Sequence, residues 1–316
     1  MSIFSTTLNQ MAFLFSLILL GFFLTKKGLL PKTAAGILSK LENYIFIPAL
    51  VLKTFIENFT IEKIGAAGSI FLTSFVMILI IMPIAILASR ACSKDKYIQN
   101  IYTYGLAFSN FGFMGNAVVS SLFPDIFFEY LIFTLPLWIF IYLWGVPVLL
   151  RSQAGQKQSL RERLQAFVNP MFLCMLIGMI VGLSNLTLPT WVTSAAASCA
   201  DCMSPVAMLL TGITVASADL KKIFTNISIY AVTVIRLILF PMVMMLLLYF
   251  LKTSDTLTIC AISSVAMPLG LNTIVIPIAY GKDTTVAAGM AIISHLLSCF
   301  TIPVIFTIMT FVFGLN

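Results

Sequence analysis

GLAFSNFGFMGN (residues 105–116) and SSVAMPLGLNT (residues 263–273) each interrupt a long apolar run with residues poorly suited to continue a helix. Proline removes a backbone donor and collides with the preceding turn, and glycine costs about 1 kcal/mol against alanine in a helix interior. Both stretches are therefore expected to unwind partway along a helical segment. Composition says what surrounds them. Of 316 residues, 60% are hydrophobic and 9% carry a charge, against about 45–50% and about 25% in soluble domains. Too few polar side chains remain to coat a water-facing surface, so a soluble globular protein is excluded and lipid is the solvent. Unwound backbone at membrane depth is tolerated only where protein buries it or it lines a wet cavity.

Working outward from these stretches, the chain divides at its Lys/Arg, Pro and Gly clusters into ten apolar spans near the ~20 residues that cross a bilayer: 8–25, 34–55, 66–89, 100–122, 127–150, 168–184, 190–216, 226–251, 257–280 and 284–312. With the N-terminus outside, the inner loops collect Lys26, Lys27, Lys32, Lys40, Arg90, Lys94, Lys96, Arg151, Lys157, Arg161, Arg163, Lys221, Lys222 and Lys282, and the outer side holds Lys53, Lys63 and Lys252. This bias follows the positive-inside rule and predicts that both termini lie outside. It also accounts for the net charge of +7 without nucleic acid, which would require basic residues clustered on one face. The first apolar stretch has no basic residue ahead of it and no small-x-small cleavage site after it, so it is expected to remain as the first membrane helix.

The two halves match at a nearly constant offset. Pro31 and Pro189 lie 158 residues apart, Pro48 and Pro205 157, Pro83 and Pro241 158, and Asn116 and Asn272 156. Five spans per copy is an odd number, so the second copy enters the membrane from the opposite side. The expected organisation is a first five-helix repeat over 1–150, a cytoplasmic linker over 151–167 and a second repeat over 168–316. Inverted repeats and paired interrupted spans are the sequence marks of secondary transporters, with the substrate site at the breaks. Asn110, Asn116 and Asn272 offer hydrogen bonds there, Gly112, Gly115, Pro268 and Gly270 are expected to shape the breaks, and half-helix N-termini favour an anion.

These residues also carry a family likeness. SNFGFMGN (109–116) resembles the first crossover motif of the auxin efflux carrier family, N-x-G-x-x-G, and MPLGLNTIVIPIAYG (267–281) resembles its second. LENYIFIPALVL (41–52) is similar to the family's second span. The resemblance implies an all-α integral membrane fold of ten helices in two inverted repeats, as in bile-acid symporters and sodium/proton antiporters, with broken helices 4 and 9 crossing. Helices 1, 2, 6 and 7 would form the scaffold, and helices 3–5 and 8–10 a transport domain that moves against it. Carried over by position, Asn110, Gly112 and Gly115 match the first motif, and Pro268, Asn272, Tyr280 and Gly281 the second. The resemblance further implies a bacterial malate- or malonate-permease-like carrier in a cell membrane. One departure is Ala117, where many members have proline.

Ionisable groups inside spans are few, and each is a functional candidate because a mid-bilayer charge costs at least ~2.5–3.5 kcal/mol. Asp201 in span 7, His295 in span 10 and Arg236 in span 8 are candidates for coupling or charge balance, each with a structural alternative: a carboxylate near the outer mouth, a brace for the broken span 9, and a partner for a neighbouring helix end. The breaks themselves hold no acidic residue, which argues against a cation/proton antiporter, although amides and carbonyls alone remain able to hold Na⁺. Cys199 and Cys202 form a lone CxxC without nearby histidine, so no metal site is expected. No H-E-x-x-H or P-loop occurs, Ser294 and His295 are adjacent and point apart on a helix, and neither an enzyme nor a cofactor is expected. The sequence thus reads as a secondary transporter of a small mono- or dicarboxylate, uncoupled or proton-coupled, working by an elevator-type movement. The alternatives are a Na⁺-coupled symporter and a membrane ligand sensor or scaffold. The expected partners are the organic anion, the bilayer and, under coupling, H⁺; a homodimer is a candidate assembly.

Overall fold

The computed structural model describes residues 3–31, 33–59, 61–150, 170–184, 186–217, 225–279 and 282–315. The linker expected at 151–167, the loop carrying Lys221 and Lys222, and the motif residues Tyr280 and Gly281 lie outside the described residues. Within them every regular element is a helix: α1 (Ile3–Lys26), α2 (Ala34–Leu41), α3 (Ile47–Asn58), α4 (Ile61–Cys92), α5 (Lys96–Ala107), α6 (Asn116–Leu122), α7 (Phe127–Phe140), α8 (Val146–Leu150), α9 (Pro170–Ser184), α10 (Thr190–Ala216), α11 (Ile227–Val234), α12 (Phe240–Leu251), α13 (Asp255–Ala266), α14 (Asn272–Ala279) and α15 (Thr285–Phe313). Seven helical stretches are long and apolar enough to cross a membrane, and three shorter apolar ones accompany them at Phe111–Leu122, Pro170–Ser184 and Asp255–Ala266. The chain is a multi-pass membrane protein. Neither span 100–122 nor span 257–280 is a single rod: each is two helices with an unwound joint.

Several rods contain one widened turn with π geometry, and proline explains their placement. Such turns at Glu42–Phe46, Ile141–Gly145 and Ile235–Leu239 each end two residues before a proline, Pro48, Pro147 and Pro241. Proline clashes with the carbonyl four residues back and donates no hydrogen bond to it. Widening the turn relieves the clash without ending the helix, and it re-aims the side chains within the turn. A fourth widened turn, Phe111–Gly115, stands in the same register before Ala117.

Packing divides the rods into two groups. Helix α1 runs along α10, α9 runs along α3, and α3 and α10 touch each other. Lipid offers no hydrophobic drive between helices, so close contact relies on small residues. A Cβ at Gly21 would meet Leu209 O, and one at Gly212 would meet Ile18 O and Phe22 N, so α1 and α10 approach backbone to backbone. The second group packs α4 on α5 and α7, and α15 on α11 and α13. The groups meet most extensively where α15 lies on α1, with Phe15, Ile18, Leu19 and Phe22 of α1 and Ile292, His295 and Leu296 of α15 lining a cleft between them.

Gly212→Leu is expected to force α1 and α10 apart and destabilise the fold by about 1–3 kcal/mol, read as a lower unfolding midpoint in detergent. Gly36, with nothing within 4 Å of an added Cβ, should accept alanine with no loss.

Candidate functional site

The two unwound joints cross and complete each other. Helix α5 ends at Ala107 because Phe108 turns extended, φ −120° and ψ 113°. Helix α13 ends at Ala266 because Met267 precedes Pro268, which disfavours the helical region; Met267 sits at φ −68°, ψ 150°. Ser109 and Leu269 then form an antiparallel bridge. The Asn110 N–H donates to Pro268 O at 2.7 Å, Ser109 Oγ donates to Ser264 O at 2.6 Å, and the Leu269 N–H donates to Ser294 Oγ at 3.2 Å. Groups that lipid would leave bare are thus satisfied across the fold, the first two bonds joining segments more than 150 residues apart in sequence and the third reaching 25 residues on to α15. Asn116 and Asn272 open α6 and α14, the helices that resume beyond the crossing.

The glycines divide between two tasks. Gly270 lies in the crossing, where an added Cβ would come within 3.1 Å of the Phe108 and Ser109 carbonyl oxygens. Gly112 and Gly115, expected to shape the break, lie instead in the widened helical turn that follows it. A Cβ on Gly112 would sit 2.6 Å from Trp138, and one on Gly115 would meet the Tyr130 hydroxyl, which donates to Phe111 O at 3.1 Å. Their task is to let α7 close on the turn.

Arg236 supplies the charge that the break sequences lack. It is 1% exposed, and the widened turn Ile235–Leu239 packs on α13. Nη1 donates to Leu106 O at 2.9 Å, Nη2 to Ser264 O at 3.3 Å and Nε to Met267 O at 3.4 Å. The guanidinium also lies 5.8 Å from the centre of the Phe240 ring. These carbonyls belong to the C-terminal ends of α5 and α13, the negative ends of two helix dipoles. The crossing is therefore not neutral: one guanidinium serves both halves, and three of its five N–H donors are committed to backbone carbonyls.

His295, 2% exposed, stands beside the first joint. Its Nδ1 is 2.7 Å from Ala291 O, and its Nε2 is 3.0 Å from Asn110 Nδ2. His295 also lines a cleft of about 190 Å³ with Phe15, Ile18 and Phe22 of α1 and Thr211 of α10. Asn110 Oδ1 and Asn116 Oδ1 are buried without a hydrogen-bond partner, and Asn272 is half-buried. Asp201 is exposed and makes none of the bonds that assemble the crossing. All six cysteines are free. Sequence reasoning passed over Ser109, Ser264 and Ser294 as crossing partners, and it passed over Glu42. Glu42 is fully buried in the turn Glu42–Phe46 against α10, its carboxyl beside the backbone of Ala207. The available signal was its place eight residues inside span 34–55, since a carboxylate at such depth is a functional candidate by default.

A family model described as membrane transport protein matches residues 6–306. No curated protein matches the chain.

Arg236→Met should leave Leu106 O and Met267 O without their side-chain donor, at about 1 kcal/mol or more each, and lower the unfolding midpoint measurably in detergent. Arg236→Lys, with a single point charge, should recover only part of that loss. Ala117→Pro should leave the unfolding midpoint within a few degrees of the parent, because the preceding turn is already widened, whereas Val118→Pro should prevent folding.

Proposed function

We propose a function that starts from the family: the chain belongs to the membrane transport proteins, the auxin efflux carrier family, and we read it as a secondary transporter of a small organic anion. The observation that carries this reading is the crossing of two unwound segments at depth, held by its own hydrogen bonds and by Arg236. Irregular backbone in lipid needs such support, and carriers use it to build a site from half-helix ends. The substrate class is a mono- or dicarboxylate such as malate, malonate or an auxin-like acid, held by the amides of Asn110, Asn116 and Asn272.

The ten spans form two inverted repeats, 1–150 and 168–316, joined by 151–167, with both termini outside, in what we take to be a bacterial inner membrane. Two pairings support this arrangement: α1 with α10, and α9 with α3, which exchange places when one repeat is laid on the other. Movement is elevator-like. The close α1–α10 contact suits a fixed scaffold, and the bulky side chains where α15 meets α1 suit a sliding surface. A Na⁺-coupled symporter is the second reading, favoured by the bare oxygens of Asn110 and Asn116, which match a cation better than an anion.

The test is counterflow in proteoliposomes against malate, malonate, other dicarboxylates, aromatic monocarboxylates and bile acids. Exchange of one of these acids supports the carrier; specific binding without exchange leaves a ligand sensor in its place. Asn116→Ala and Asn272→Ala should each abolish exchange with expression intact, and near-normal exchange by both would remove the assigned site.

A further inference from the structure

We infer that the site couples one proton to each organic anion by rotation of the Asn110 amide on the His295 ring. This rests on the carrier reading above and adds the coupling ion and the atoms that bind it. Ala291 O can only accept, so His295 Nδ1 carries a hydrogen, and Nε2 accepts from Asn110 Nδ2. The backbone of Asn110 is fixed at both ends: its N–H donates to Pro268 O, and its carbonyl accepts from the Met114 and Gly115 N–H groups. Only its side chain is free to respond to the ring. In this arrangement Asn110 Oδ1 has no partner and neither does Asn116 Oδ1. Two bare acceptors suit a carboxylate badly, because a carboxylate offers only lone pairs.

A proton taken from water onto Nε2 reverses the pairing. Nε2 then donates, and it faces an amide NH₂ that also donates. Turning the amide half a revolution places Oδ1 on the Nε2–H and presents Nδ2 to the site as a donor. The new N–H forms as one O–H bond of a hydronium ion breaks and leaves water; no other covalent bond changes, and deprotonation returns the acceptor. The surroundings make the anion the counter-charge. The ring shares the lining of the cleft with Phe15 and Ile18 of α1 and Thr211 of α10, and the Thr211 hydroxyl already donates to Ala207 O. On the other elements packed against α15, Tyr102 and Tyr104 of α5 and Tyr230 of α11 carry phenols, Cys260 of α13 is a buried thiol, and Arg236 gives three of its five N–H groups to carbonyls. Cys299, on α15 itself, donates to His295 O. None of these facing side chains is a carboxylate. A buried cation without a partner is costly, so proton and carboxylate each strengthen binding of the other, a reciprocity that linkage requires.

The full chain in proteoliposomes tests this with labelled malonate and malate, the membrane potential clamped at zero by valinomycin in equal potassium. With the outside one pH unit more acidic, wild type should accumulate the exchanged acid about tenfold, the proton ratio across the membrane, and an indicator dye in weak buffer should record one proton entering per anion. His295→Gln keeps hydrogen-bonding atoms beside Asn110 but takes no proton, and its accumulation ratio should fall to about one. Wild-type exchange with a ratio near one, accumulation that follows a Na⁺ gradient instead, or His295→Gln accumulating as wild type does would each overturn the coupling while leaving the carrier standing. If wild type exchanges no acid of the panel, the carrier reading itself fails. Should His295→Gln not fold, the wild-type proton count decides alone.

Discussion

The guanidinium of Arg236 lies between the carbonyl ends of two helices that stop inside the membrane, and the crossing depends on it. A helix end leaves carbonyls without intrahelical partners, and no water reaches them in lipid. Here two such ends, those of α5 and α13, point at the same place with the same partial charge. The backbone bond from Asn110 to Pro268 and the hydroxyl of Ser109 satisfy part of the deficit; Arg236 supplies the rest and opposes the repulsion of the dipoles. Burying a guanidinium is itself expensive. The cost is met by three carbonyls and an aromatic face gathered around one side chain, and the widened turn ahead of Pro241 carries that side chain.

Several features were legible in the sequence because they are local. The spans follow from apolar runs, and the second break follows from Pro268 acting on the residue before it. The first break was placed only within 105–116, since it contains no proline. Its glycines carry an ambiguity with a physical reason: glycine marks both a backbone that must bend and a backbone that another side chain must approach, and Trp138 and Tyr130 make that approach at Gly112 and Gly115. Arg236 was visible as an intramembrane charge with a helix end as one of its alternatives. Its particular partners, Leu106 and Ser264, are 130 and 28 residues away, and no periodicity reports such a distance. The bond between His295 and Asn110 spans 185 residues and was hidden for the same reason. Glu42 escaped notice because it lies close to Lys40, where a charge reads as the edge of a span.

Proline in this chain is less a breaker than a spacing device. Pro48, Pro147 and Pro241 each follow a widened turn at a constant distance, so three rods continue past residues that would kink an ordinary helix. Ala117 occupies the corresponding position after Phe111–Gly115, and the widened turn persists without proline. There the side chains hold the shape, with the Tyr130 hydroxyl on Phe111 O and Trp138 against Gly112.

The shared bridge between Ser109 and Leu269 also sets a timetable for biogenesis. At ~5–20 residues synthesised per second, the 155 residues separating Ser109 from Ser264 take roughly 8–30 s to follow. During that interval the first half sits in or beside the insertion machinery with a break that only the second half can close. The chain therefore cannot mature one half at a time: its earliest-made joint is among the last to be satisfied, and a ribosome that stalls after the first half leaves a membrane segment whose polar backbone has no partner of its own.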